Sequence, residues 1–192
     1  PGVLAKVTDT VTPQPVVAVV RTPVSTLDGL ARASFVVVCI DVRDPGNVGA
    51  VIRGADAAGA DGVVCCAGTV DPFNPKTVRA SAGSVLHLPV VAGDDPADVL
   101  DHLRSAGLRC LAAVAHGGID YGDVDLVSPL ALVLGNEASG LPTTLGTRID
   151  ASLTIPMAGR AESLNVSMAA AVLAFAVRRS RLPPPSTGMT SE

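Results

Sequence analysis

Three short phrases in this 192-residue chain combine side chains able to hold and polarise a ligand. They are Asn47-Val-Gly-Ala-Val-Ile-Arg53, Gly135-Asn-Glu-Ala-Ser-Gly140 and Ile155-Pro-Met-Ala-Gly-Arg-Ala-Glu-Ser-Leu-Asn165. Each follows an apolar run. A glycine such as Gly135 lets the backbone come close to a ligand. Arg53 offers a planar cation suited to a phosphate or a developing oxyanion. The amides Asn47 and Asn165, the carboxylate Glu137 and the hydroxyl of Ser163 can fix the position of a substrate group. Such a set acts by positioning and electrostatics.

Every one of these groups also has a plain structural reading. Asn47, Ser163 and Asn165 can cap helices. Arg53 can be a solvated surface arginine, and G-N-E-x-x-G alone is an ordinary turn. His116 lies between an apolar run and Gly117-Gly118, where a loop role at a pocket rim fits it better than a general base.

The elements that must carry these phrases alternate. Apolar runs at Phe35–Asp41, Gly62–Ala67, Leu86–Val91, Leu108–Ala115, Leu130–Leu134 and Leu153–Ile155 read as strands. Helical spacing is expected at Asn47–Gly59, Pro75–Ala82 and Asp95–Ala106, where Ala97, Leu100 and Leu103 share a face. Near-continuous apolar strands separated by helices predict an α/β fold, a mostly parallel sheet covered on both faces. The last helix, from Asn165 to about Arg179, is apolar almost all round and demands burial in the core or against another subunit.

Val16–Val20 can form a strand and Thr26–Ala33 a short helix, but residues 1–34 otherwise read as a linker and the end of an upstream domain. Residues 35–181 form the main domain, and 182–192 read as a flexible tail. The N-terminus carries no export-like segment and no long apolar stretch occurs, so a cytoplasmic protein without a membrane span is expected. The four cysteines, Cys39, Cys65, Cys66 and Cys110, lie in apolar runs without C-x-x-C spacing, so no metal site is expected. The formal charge of −4, with 14 Lys+Arg, no Trp and one Tyr, argues against a self-sufficient nucleic-acid grip. There is no early G-x-G-x-x-G fingerprint of a dinucleotide fold.

The three phrases, in this order, resemble the signature motifs of the SpoU (TrmH-like) branch of the SPOUT RNA methyltransferases. The resemblance spans about residues 9–181. It implies S-adenosylmethionine as cofactor, methylation of a ribose 2′-hydroxyl in RNA, a homodimer, and a C-terminal trefoil knot that ordinary connectivity would not predict. By the same resemblance Asn47, Arg53, Glu137, Ser163 and Asn165 serve catalysis. Ala115, His116, Gly117, Leu134, Gly135, Asn136, Gly140, Ile155, Met157 and Leu164 surround the cofactor. Lys76, Arg79 and Ser81, in the phrase Asp71–Ser81, contact RNA. That phrase and the truncated-looking N-terminus are more like members that modify ribosomal RNA, with 23S rRNA the expected target. A transfer-RNA ribose methyltransferase and a noncatalytic RNA- or cofactor-binding module are the alternatives.

Overall fold

The computed structural model describes residue 16 and residues 18–183. Residues 1–15 and 17 of the expected linker and residues 184–192 of the expected tail lie outside the described residues. Among the described residues seven strands form one sheet in the order β3-β2-β1-β6-β4-β7-β5. They are β1 Phe35–Cys39, β2 Gly62–Cys65, β3 Val90–Ala92, β4 Arg109–Ala113, β5 Ile119–Asp120, β6 Leu130–Leu134 and β7 Ala151–Thr154. Every pairing is parallel, with Cys39 in register with both Cys65 and Leu134. The four α-helices among the described residues are α1 Pro45–Ala57, α2 Pro75–Ala80, α3 Pro96–Ser105 and α4 Val166–Ser180.

Side chains alternate across each strand, so the central strands feed two cores. Phe35, Val37, Cys39, Leu130, Leu132 and Leu134 pack on one face with α1 and α4. Val36, Val38, Ala131 and Val133 pack on the other with Val99, Leu100 and Leu103 of α3. Burying each valine, leucine or phenylalanine among them contributes about 1.5–3 kcal/mol. That alternation explains why the strands read as unbroken apolar runs.

Helix starts follow side-chain chemistry. Asp44 caps α1 by accepting from the Asn47 N–H, and Pro45 follows in the first turn. Asn74 and Asp95 do the same ahead of Pro75 and Pro96. Asn165 caps α4 through the Ser167 N–H. At the far end of α4, Arg181 donates to the carbonyls of Ser34 (2.9 Å), Ser128 (3.2 Å) and Leu126 (3.3 Å). Its guanidinium also lies over the Phe35 ring. Both ends of α4 are therefore tied down.

Several sequence expectations change. The third strand is Val90–Ala92, because Ser84–Leu86 forms a 3-10 turn and Pro89 has no N–H for the ladder. Thr26–Ala33 contains only the 3-10 turn Leu27–Leu30. Val16, Ala18, Val19 and Val20 have no regular structure. Gly49 is structural: a Cβ there would lie 2.5 Å from the Thr77 carbonyl oxygen and from the Ala80 Cβ, so it permits the close α1–α2 crossing. The terminal helix buries Val166, Ala170, Leu173, Ala174 and Val177, yet Met168, Val172 and Phe175 stay exposed.

Candidate active site

In a parallel sheet all loops that follow strands emerge at one edge, and ligands bind in the crevice there. The loops after β4, β6 and β7 enclose a cleft of about 320 Å³, within the range of small-molecule sites. Leu134, Leu153, Ile155, Leu164 and Leu173 give it apolar walls, while Gly135, Glu137, Ser139 and Gly140 line its edge.

The second phrase closes on itself. Asn136 and Gly140 exchange backbone hydrogen bonds at 3.1 and 2.9 Å, with Gly140 at φ +68. The Asn136 side-chain oxygen accepts from the N–H groups of Ala138 and Ser139. A Cβ on Gly135 would stand 2.6 Å from the Gly140 carbonyl carbon, so only glycine fits this turn. The closed loop leaves Glu137 exposed at its tip.

Glu137 accepts from the Asn47 side-chain amide at 2.7 Å. Asn47 in turn accepts from the Asn165 side-chain amide at 3.0 Å. The first, second and third phrases thus meet in one hydrogen-bonded relay beside the cleft. Asp44 is the cap of α1, so the Asn47 side chain in the third helical position is released for this contact. Asn165 does both jobs: its oxygen caps α4 and its amide reaches Asn47.

Arg53 lies on α1 six residues beyond Asn47, about 9 Å along the axis. It is exposed and makes no hydrogen bond or ion pair among the described residues. Arg104, Arg109 and Arg148, by contrast, are held by Asp150, Asp125 and Asp101. Ser163 lines the cleft and is exposed, and no capping bond of its own is formed among the described residues.

Of the expected cofactor residues, Ala115, Leu134, Gly135, Asn136, Gly140, Ile155, Met157 and Leu164 line the cleft. His116 and Gly117 do not. Gly117 adopts φ +74, and Gly118 then packs against the Leu153 and Thr154 backbone, turning the chain away after Ala115. His116 is left exposed on that turn. Lys76 and Arg79 are exposed on α2. Ser81 is a correction: it is fully buried, and its hydroxyl donates to the Val78 carbonyl at 2.8 Å, so it is closed to RNA.

Sequence reading missed Ala113, Leu141, Ala169 and Leu173 as cleft residues. Ala169 and Leu173 are four apart after the Asn165 cap, a spacing that marks one helix face. The thiols lie away from this chemistry. Burial pushes Cys66 and Cys110 up to about 12, and the hydrogen bond with Cys65, reinforced by burial, raises Cys39 well above the ordinary value. No group of three or more His, Cys, Asp or Glu able to hold a metal occurs among the described residues.

Comparison with known proteins settles the family. The SpoU rRNA Methylase family matches residues 34–175, most of the chain. The chain belongs to the SpoU rRNA methylase family. Among its SpoU relatives is the 23S rRNA (guanosine(2553)-2′-O)-methyltransferase RlmP of Bacillus subtilis (strain 168), 42% identical over 172 residues, covering 90% of this chain and 68% of that one. The 23S rRNA (uridine(2479)-2′-O)-methyltransferase of Streptomyces viridochromogenes is 39% identical, over 88% of this chain and 62% of that protein. The AdoMet-bound crystal structure of an rRNA methyltransferase from Sinorhizobium meliloti superposes with a TM-score of 0.71 at 41% identity, over 78% of this chain and 57% of that one. The SpoU chain described here therefore spans between 57% and 68% of the length of these three proteins.

Proposed function

We propose that this chain is the catalytic part of an S-adenosylmethionine-dependent RNA 2′-O-methyltransferase acting on 23S ribosomal RNA. The observation that carries the reading is the Glu137–Asn47–Asn165 relay beside the cleft, which joins all three motifs at one place. Kinship with two relatives named as 23S rRNA methyltransferases supports the choice of RNA.

The cleft fits the cofactor in character. Its apolar walls suit adenine, and the backbone at Gly135, Ile155 and Leu164 would hold the adenosine. Bound there, S-adenosylmethionine supplies the methyl group as an electrophile on sulfonium. The transfer would form a C–O bond at the ribose oxygen, break the methyl C–S bond to leave the neutral thioether S-adenosylhomocysteine, and pass the hydroxyl proton to water. The protein's residues do the rest. The planar Arg53 guanidinium orients the target through a phosphate and stabilises the developing oxyanion. Glu137 and Asn165 fix the Asn47 amide, which orders the loop in front of α1 and the ribose it receives. Lys76 and Arg79 add local phosphate contacts.

The active protein in this reading is a homodimer, because Met168, Val172 and Phe175 leave an apolar stripe on α4 beside a groove lined by Tyr121, Val124 and Leu126. A trefoil knot fits the path of the chain: β7 lies outside β4, and the chain then returns past the 135–141 loop to place α4 on α1. Residues 1–34 would link to an upstream RNA-binding domain, and the enzyme would work in the cytoplasm.

Calorimetric titration with S-adenosylmethionine, followed by mapping of ribose methylation in treated total RNA, tests the proposal. Binding plus one new 2′-O-methyl site in 23S rRNA is expected. Methylation of transfer RNA instead would establish the alternative substrate. Absence of cofactor binding at millimolar concentration would remove the mechanism.

A further inference from the structure

Asp41, two residues past the end of β1 and ahead of the catalytic loop, holds a backbone conformation that side-chain-bearing residues rarely adopt. Its φ is +56, and the only other non-glycine residue with positive φ among those described is Ala82. Such outliers cost free energy and persist only where the surroundings enforce them. Here the enforcing contacts are visible. Ile40 is still in the ladder, donating to the Leu134 carbonyl at 2.9 Å. At Asp41 the strand leaves β6, and its carbonyl accepts instead from the side-chain amide of Asn136 at 3.0 Å. The same amide reaches the Asp41 carboxylate at 3.3 Å, and the other carboxylate oxygen accepts from the Arg43 guanidinium at 2.8 Å.

The Asn136 amide is thereby committed on both sides. Its nitrogen serves Asp41, and its oxygen serves the Ala138 and Ser139 N–H groups that shape the loop. One residue later, Glu137 holds Asn47. The segments 41–47 and 136–137 are therefore stapled at two points, Asp41 to Asn136 and Asn47 to Glu137.

We infer that Asp41, through its left-handed backbone and its bonds to Asn136, is a positioning residue that sets the cofactor-side loop and, through Glu137, the Asn47 amide. The inference rests on the methyltransferase reading, but its structural core can be measured without any ligand. Asp41 does not line the cleft and makes no bond to a relay residue; its partners are Asn136, in the cleft loop, and Arg43, in the segment leading to Asn47. Its role does not depend on charge at the carbonyl contact; it depends on the chain turning left-handed at this point.

Three substitutions separate these requirements. Asp41→Asn keeps a residue that tolerates positive φ, whereas the β-branched side chain in Asp41→Val opposes it. Asn136→Ala removes the partner while the Asp41 side chain stays in place. We expect Asp41→Asn to stay within about twofold of the parent in S-adenosylmethionine affinity, and Asp41→Val and Asn136→Ala to lose roughly tenfold, the scale of about one or two hydrogen bonds. In both damaging variants kcat should fall while the KM for RNA holds. Amide exchange at Ala138 and Ser139 should accelerate at temperatures where the melting curve shows both variants folded.

Unchanged exchange at Ala138 and Ser139 in a folded Asp41→Val protein would overturn the inference. So would parental affinity and turnover in that variant. If the parent itself binds no S-adenosylmethionine, the functional reading fails, while the exchange measurement still decides whether Asp41 sets the loop.

Discussion

Asn165, the cap of α4, donates its side-chain amide to the side-chain oxygen of Asn47 in the first turn of α1, at 3.0 Å and across 118 residues of chain. Asn47 passes its own amide to Glu137 at 2.7 Å. Each asparagine uses donor and acceptor together, so the direction of the relay is fixed: the carboxylate must be at one end and the helix cap at the other.

Asn47→Asp tests that direction. It keeps an acceptor for Asn165 but sets a second carboxylate against Glu137. Like charges in hydrogen-bond contact repel, so turnover should fall below that of Asn47→Ala, while the loss of the bond to Glu137 costs about 1–3 kcal/mol of stability. Single-turnover methylation and denaturant midpoints for the two variants check the order.

Arg53→Ala removes an exposed side chain that has no partner among the described residues, so stability should change by no more than about 0.5 kcal/mol. Methyl transfer should drop by about 10²-fold or more, as for loss of a single transition-state donor, with cofactor affinity unchanged. Calorimetry beside a rate assay decides; weakened cofactor binding in a folded protein would place Arg53 in the cleft instead.

Gly135→Ala and Gly159→Ala form a matched pair. A Cβ at residue 135 meets the Gly140 carbonyl carbon at 2.6 Å, whereas one at 159 meets nothing within 4 Å. The first should cost about 1–3 kcal/mol and most cofactor binding, the scale of overpacking. The second should be silent. Melting curves with and without S-adenosylmethionine provide the readout.

Phe175→Asp places a charge in the exposed apolar stripe of α4, where Phe175 is 50% exposed in the single chain. Light scattering at micromolar concentration should show a dimer for the parent and a monomer for the variant. A parent that is already monomeric would contradict the assembly proposed above.

The buried thiols predict an alkaline limit. Cys66 and Cys110 are pushed up to about 12 by burial, so they remain neutral in the folded chain while the unfolded chain ionises them at the ordinary thiol value. The unfolded state then binds fewer protons, and stability falls as pH rises from that value toward 12; below it the contribution is complete. Urea midpoints should decline across this window and stay level on its neutral side as far as the thiols are concerned. A thiol reagent at neutral pH should label the four cysteines only after unfolding.

The motif phrases and most strands were legible in the sequence because their signals are local. An apolar run such as Leu130–Leu134 reports burial on both faces, and it matches the strand residue for residue. Pro45, Pro75 and Pro96 sit at helix starts where a missing N–H does no harm. The β3 boundary failed for a local reason of a different kind: a 3-10 turn ending at Leu86 consumed residues whose composition alone looks extended.

What the sequence by itself determined was the set of residue types, their order and the α/β class with its parallel sheet. What only the tertiary structure decided was which of them meet. Asn47 reaches Glu137 across 90 residues and Asn165 across 118, because β6 lies beside β1 and α4 packs on the α1 side of the sheet. The close crossing at Gly49 accompanies the burial of Ser81, and the left-handed turn at Gly117 left His116 outside the cleft. Periodicity records how each segment faces a core. It carries no information about which loops the strand order brings to the same edge, and the relay exists only because that order gathers them there.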